Sequence, residues 1–338
     1  MKKDALRLME VCGTHTMAIA RFGIKKILPE NVELISGPGC PVCVTHQADI
    51  DRAIATAALD GVVFTTFGDM MRVPGSSMRL MDLRQKGHDI RVVYSCMDAL
   101  DIAAKNPKKK IIFMGVGFET TSPTVASTIL DARRRKVKNF FILSNFKNIF
   151  PALNALASSK RVKIDGFICP GHVSVITGTR PYEILARKYK IPCVITGFDD
   201  TDIIEGIKEL IKNIKDTSYK VSIAYKRAVN KAGNIEARRI LASVFESCPA
   251  QWRGLGKIPE SGLRLRKEFS SFDVAKIFNV KVSRPLVKRG CICADILQGI
   301  RSPGDCRLFK SVCNPENPIG PCMVSTEGTC AAFYKYGE

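Results

Sequence analysis

The chain has 338 residues, 46% of them apolar and 25% charged, enough to build full cores in two or three domains and ordinary for a globular protein. No apolar run approaches the ~20 residues that cross a bilayer. The opening MKKDALRLMEVCGTH, broken by Asp4 and Glu10, lacks the apolar stretch of an export signal, so a cytoplasmic location is expected. Thirteen cysteines there argue against a disulfide framework and for metal or thiol chemistry, while a net charge of +20 with one tryptophan argues for solvated faces rather than a nucleic-acid partner.

In chain order, NVELISGPG (31–39), GVVFTTFGD (61–69) and DIRVVYSC (89–96) read as strands, with helices at 46–61 and 76–87 between them. The pattern restarts with strands in KKIIFMGVGFETT (109–121), NFFILSNF (139–146), DGFICPGH (165–172) and IPCVITGFD (191–199), separated by helices such as 122–136 and 180–190. Near-continuous Val, Ile and Phe imply parallel sheets covered on both faces. The expected fold class is α/β, with two similar parallel-sheet domains. The segment 1–30 leads in, 31–108 forms the first domain, 109–217 the second, and 218–338 a C-terminal unit. Within that unit 218–230 reads as β-like, 234–248 as helical, and the stretch after Ser283 as a loop-rich tail. The basic residues fall in separate segments, KNPKKK (105–110) and DARRRKVK (131–138) among them.

Most strands run out into Gly, Cys, His, Asp or Thr. Ligands of open parallel sheets sit beyond the carboxyl ends of the strands, so SGPGCPVC, TTFGDMM, GVGFETT, CPGHVS and TGFDD are candidates to line one cleft. At the front, Cys12 and His15 are candidate metal ligands. Cys40 and Cys43, with Pro41 between them, form a stiff dithiol that suits metal capture, a reversible disulfide or the completion of a zinc site. His46, three residues after Cys43, reads either as a cap on the helix that starts at Gln47 or as a further metal ligand. Glu119 reads either as a proton acceptor or as a structural anchor, and His172 either as a general acid/base or as a satisfied loop histidine. Six cysteines crowd the tail: Cys291, Cys293, Cys306, Cys313, Cys322 and Cys330. Four thiolates hold zinc or a [4Fe–4S] cluster, and the absence of a CxxC knuckle favours the cluster. Cys96, Cys169, Cys193 and Cys248 read as small core residues.

Taken in order, MEVCGTHT, ISGPGCPVCVT, FGDMMRVPGS, GFETT, CPGHVS, TGFD and NPIGPCMVSTEGTCAAFYKY resemble the HypD family of [NiFe] hydrogenase maturation factors, nearly end to end. The resemblance implies two similar α/β domains and a third with a [4Fe–4S] cluster. The family's ligand spacing of fourteen, six and sixteen intervening residues matches Cys291, Cys306, Cys313 and Cys330. It leaves Cys293 and Cys322 as a pair that relays electrons through a redox disulfide. It implies a scaffold that, with the small protein HypC, holds an iron receiving two cyanides and one carbon monoxide, with cyanide delivered by HypE as a thiocyanate. Cys12 would then be the iron ligand, and Cys40 with Cys43 a dithiol supplying two electrons or further ligation. A stand-alone iron–sulfur thiol–disulfide oxidoreductase is the alternative.

Overall fold

A computed structural model describes residues 5–282, 285–286 and 290–337. Ser283, where the loop-rich tail is expected to begin, lies outside them, as do the first four residues. Eleven strands form three sheets. A five-stranded sheet has the order β2 (Val32–Ser36), β1 (Leu6–Glu10), β7 (Gly166–Cys169), β8 (Cys193–Ile195), β9 (Val221–Ile223). A four-stranded sheet has the order β4 (Ile90–Val92), β3 (Val62–Thr66), β5 (Lys110–Gly115), β6 (Phe140–Ser144). Both are parallel throughout. An antiparallel hairpin of β10 (Phe245–Trp252) and β11 (Gly256–Leu265) completes the set. No helix of the described residues is long and apolar enough to cross a membrane.

The α/β class and the parallel sheets follow the expectation, and the reason is visible in the strands. Leu8, Leu34, Ile168 and Val194 bury into one face of the five-stranded sheet, while Met9, Ile35, Phe167 and Ile195 bury into the other. Val63, Ile111, Phe113 and Phe140 likewise face away from Val62, Ile112, Met114 and Phe141 in the four-stranded sheet. Both faces are covered, so nearly every strand position is apolar, each fully buried side chain contributing about 1.5–3 kcal/mol.

The sheets do not follow the consecutive division of the chain. β1, inside the expected lead-in 1–30, lies near the middle of the five-stranded sheet, between β2 and β7. That sheet draws its strands from segments on both sides of the four-stranded sheet, which is inserted between β2 and β7. The helix expected over 234–248 spans Ile235–Val244, and the chain then turns into β10. Pro249, without an N–H, and the alternating burial of FESCPAQW both favour the strand. The β-like stretch 218–230 yields only β9. Beyond it the tail has no core of its own. Cys293, Ile296, Leu297, Cys322 and Met323 share one buried cluster with Met9, Ile35 and Phe167 of the five-stranded sheet.

Candidate metal and thiol centre

The chain leaves β1 at Glu10 and bends at Cys12, whose extended backbone caps helix Gly13–Arg21. The Cys12 amide donates to Glu10 Oε2 at 3.1 Å, and Thr16 Oγ1 donates to Glu10 Oε1 at 2.5 Å. The Gly13 amide donates to the Gly39 carbonyl at 3.0 Å, which stitches the GPGC loop onto the same turn. Only glycine permits this approach, since a Cβ at position 39 would stand 2.2 Å from the Cys12 nitrogen. From the tail, Glu327 Oε1 accepts from Thr14 Oγ1 at 2.8 Å. Three distant segments thus meet around one thiol. Burial pushes that thiol up to about 12, against the pull of the His15 and Thr14 amides, so it rests as neutral SH. Burial also pushes the Glu10 carboxyl up to about 7, against its hydrogen bonds from Thr16 and Cys12.

His15 is fully buried one turn along. Its Nε2 lies 2.9 Å from the Gly197 carbonyl and 2.8 Å from Thr196 Oγ1. A carbonyl only accepts, so Nε2 carries the proton. Burial lowers the imidazole to about 4, leaving it neutral with its lone pair on Nδ1, which has no partner among the described residues. Phe198 packs against this ring at 4.8 Å and against His172 at 4.1 Å, so the two histidines flank one phenyl ring. His172 is exposed at the start of helix Gly171–Thr177, with its basicity lowered by partial desolvation and raised in turn by Glu327.

Cys40 caps the short helix Pro41–Val44, and its Sγ accepts from the Cys43 amide at 3.2 Å. Cys43 makes sulfur contacts with both Cys40 and Cys322, and burial with these neighbours holds its thiol well above the usual range. Cys322 in turn contacts Cys330 and Cys293, and Cys293 contacts Cys291. A succession of neighbouring thiols therefore runs from Cys40 through Cys43, Cys322 and Cys293 to Cys291. All thirteen cysteines are free thiols.

The six tail cysteines line one pocket, walled otherwise by Leu308, Phe309 and Met323. A Cβ at Gly320 would stand 2.8 Å from Cys291 Sγ, so glycine leaves that sulfur its room. Among the described residues no group of three or more His, Cys, Asp or Glu side chains stands at metal-holding geometry. The donor type, six thiols lining one largely apolar pocket, is nevertheless that of an iron–sulfur site. Glu119 lies apart from Cys12 and the dithiol, at the carboxyl end of β5. Its Oε1 accepts from the Ile149 amide at 2.9 Å, anchoring helix Ile149–Ala157, and its Oε2 has no partner among the described residues. His46 caps helix Gln47–Ala57 through Nδ1. Cys169 and Cys193 are buried core residues, as expected, but they also touch each other across β7 and β8.

The hydrogenase formation hypA family, HypD, matches residues 1–337. The chain belongs to the HypD family. The hydrogenase maturation factor HypD of Cupriavidus necator is 44% identical over 338 residues, covering 98% of this chain and 89% of its own length. That of Escherichia coli is 42% identical over 339 residues, covering 98% and 90%. This member of the HypD family is accordingly a hydrogenase maturation factor. Its motif residue Cys12 and the Gly39 carbonyl just before Cys40 meet at one turn together with Glu10 and Glu327, which sequence reasoning missed. Glu327 sits within the quoted STEGTC. Its role shows only through a contact spanning 313 positions, and no spacing rule signals that.

Proposed function

We propose that this chain is the scaffold on which the Fe(CN)2CO moiety of [NiFe] hydrogenases is assembled. The iron is cargo, held by Cys12 and shared with the N-terminal cysteine of HypC. A soft thiolate suits low-spin iron with strong-field ligands. Binding displaces the thiol proton, which the Thr14 and His15 amides favour by facing the sulfur. HypE brings cyanide as a thiocyanate. Releasing it takes two electrons: the R–S–CN bond breaks to a thiol and cyanide, the Cys40 and Cys43 thiols lose two protons, and their sulfurs join as a disulfide. A [4Fe–4S] cluster held by Cys291, Cys306, Cys313 and Cys330 would supply single electrons. Cys322 and Cys293 would pass reducing equivalents back to the dithiol by exchange.

The observation that carries this reading is the succession of neighbouring thiols from the dithiol into the tail. The test is infrared spectroscopy of the complex with HypC and HypE. Cys12→Ala should abolish the bands of iron-bound cyanide and carbon monoxide while leaving the visible absorbance of the tail cluster intact. Bands at normal intensity in that variant would move the iron elsewhere. Their absence from the wild-type complex would favour the stand-alone oxidoreductase instead. Cys306→Ala should bleach the cluster, and full retention of iron and sulfide would defeat the ligand assignment.

A further inference from the structure

The sulfur row is sealed along most of its length, Cys43 and Cys322 being 0% and 1% exposed. Besides the pocket of the tail cysteines, it reaches one wider space among the described residues. A cavity of about 350 Å3 is lined by Cys291, Cys293, Gly320, His46, Gln47 and Arg253. That volume is at the small-molecule end of the range for ligand pockets.

Among the described residues Arg253 is the cavity's one cation at neutral pH, and its environment is unusual. Its amide donates to the Val44 carbonyl at 2.9 Å, which ties the end of β10 to the helix that bears the dithiol. Its Nε donates to the Thr45 carbonyl at 3.1 Å, and both Nη atoms donate to Gln47 Oε1 at 3.3 Å. Every one of these acceptors is neutral. The guanidinium is oriented, and among the described residues no carboxylate forms an ion pair with it; Asp51 accepts instead from Nε2 of Gln47 at 3.3 Å. Its charge reaches Cys291, Cys293 and His46. A fixed positive charge beside two thiols, in a cavity of small-molecule size, selects a ligand that is both anionic and sulfur-bearing.

We propose that this cavity is the port through which a low-molecular-weight thiol carrying a carboxylate reduces the buried row, with Arg253 seating the carboxylate and Cys293 receiving the attack. This rests on the scaffold reading only in that the reading gives the row a redox task. The thiolate R–S⁻ attacks Cys293 Sγ of a Cys293–Cys322 disulfide. That bond breaks, Cys322 leaves as a thiolate and takes a proton, and R–S–S–Cys293 forms. A second R–S⁻ attacks the R-borne sulfur, releasing R–S–S–R and the Cys293 thiolate. Two R–SH are oxidised for one protein disulfide reduced. Exchange with Cys322, which touches Cys43, then carries the reducing equivalents inward.

The test uses the full-length chain, oxidised with diamide and handled anaerobically. Peptide mass spectrometry maps the disulfides. Reduction is then followed with thioglycolate and with cysteamine, an anionic and a cationic thiol of similar size, each rate normalised to a model disulfide. The expected result is a Cys293–Cys322 disulfide reduced about tenfold faster by thioglycolate, with the preference falling as salt rises. Arg253→Gln should bring the ratio near one, and Arg253→Lys should keep part of it. Should Arg253→Gln not fold, the wild-type salt dependence and Arg253→Lys decide. A ratio indifferent to salt and to Arg253, a first adduct at Cys12 or Cys306, or failure of the Cys293–Cys322 disulfide to form would each overturn the port. Failure of the scaffold reading shows separately, as missing infrared bands beside an intact thiol preference.

Discussion

The Glu119 carboxyl, 6% exposed, has one oxygen on a helix amide and the other on nothing, an arrangement that suits a proton. Burial raises it from 4.5 to about 7. Between those values the folded chain binds a proton that the unfolded chain does not, so stability falls as pH rises through that window, by something on the order of 3 kcal/mol. Glu119→Gln should flatten the decline, seen as a smaller gap between urea midpoints at pH 5 and pH 7.5. An unchanged gap would place the titration elsewhere. Glu10 shares the sign and keeps part of the slope. His15, lowered from 6.5 to about 4, runs the other way, its contribution present above 6.5 and lost as pH falls toward 4. Gly39→Ala tests the Cys12 turn. The added methyl meets backbone rather than a yielding side chain, so a cost of roughly 1–3 kcal/mol and faster alkylation of Cys12 are expected. The cysteines and histidines were legible at this scale because their types announce chemistry. Glu10 was not, since a carboxylate matters here only by being buried.

The strands were legible as elements, but their partition was not. A strand covered on both faces is apolar throughout, and nothing in Leu6–Glu10 or Gly166–Cys169 marks which sheet it joins. Pairing alone assigns them. The loops that bear the basic segments make the same point. Asn139, just before β6, donates through Nδ2 to the carbonyls of Ala103, Asn106 and Lys109, at 3.0, 3.0 and 2.9 Å. This draws KNPKKK and DARRRKVK to one end of the four-stranded sheet. Asn139→Ala should cost about 1–2 kcal/mol by leaving those carbonyls short of a donor, with amide hydrogen exchange rising over 103–110. Exchange unchanged there would mean the loops hold without it.

Across the whole molecule the charge is uneven. Lys105, Lys108, Lys109 and Lys110 are exposed beside Arg133, Arg134, Arg135, Lys136 and Lys138, at the amino-terminal ends of β5 and β6. Asp131 and Asp101 pair only with Arg134 and Arg135 there. Cys12 and the dithiol follow the carboxyl ends of β1 and β2, in the other sheet. A partner of opposite charge would read this basic rim. Its association should weaken with salt, since exposed charges are screened within about 8–10 Å at physiological ionic strength. For the complex with HypE, titration calorimetry between low and high salt should show that loss, and constant affinity would point to an apolar interface.

The insertion of one sheet within another also sets a timetable. Arg7 bonds to Asp165, 158 positions later, and Thr14 to Glu327, 313 positions later. At about 5–20 residues per second the ribosome needs roughly 10–30 s to supply the central neighbour of the first strand, and as long again to supply the acid that closes the Cys12 turn. The inserted sheet can fold meanwhile, its strands all lying between 62 and 144. The pocket around Cys12, begun with the first strand, stays open until Glu327 has been made.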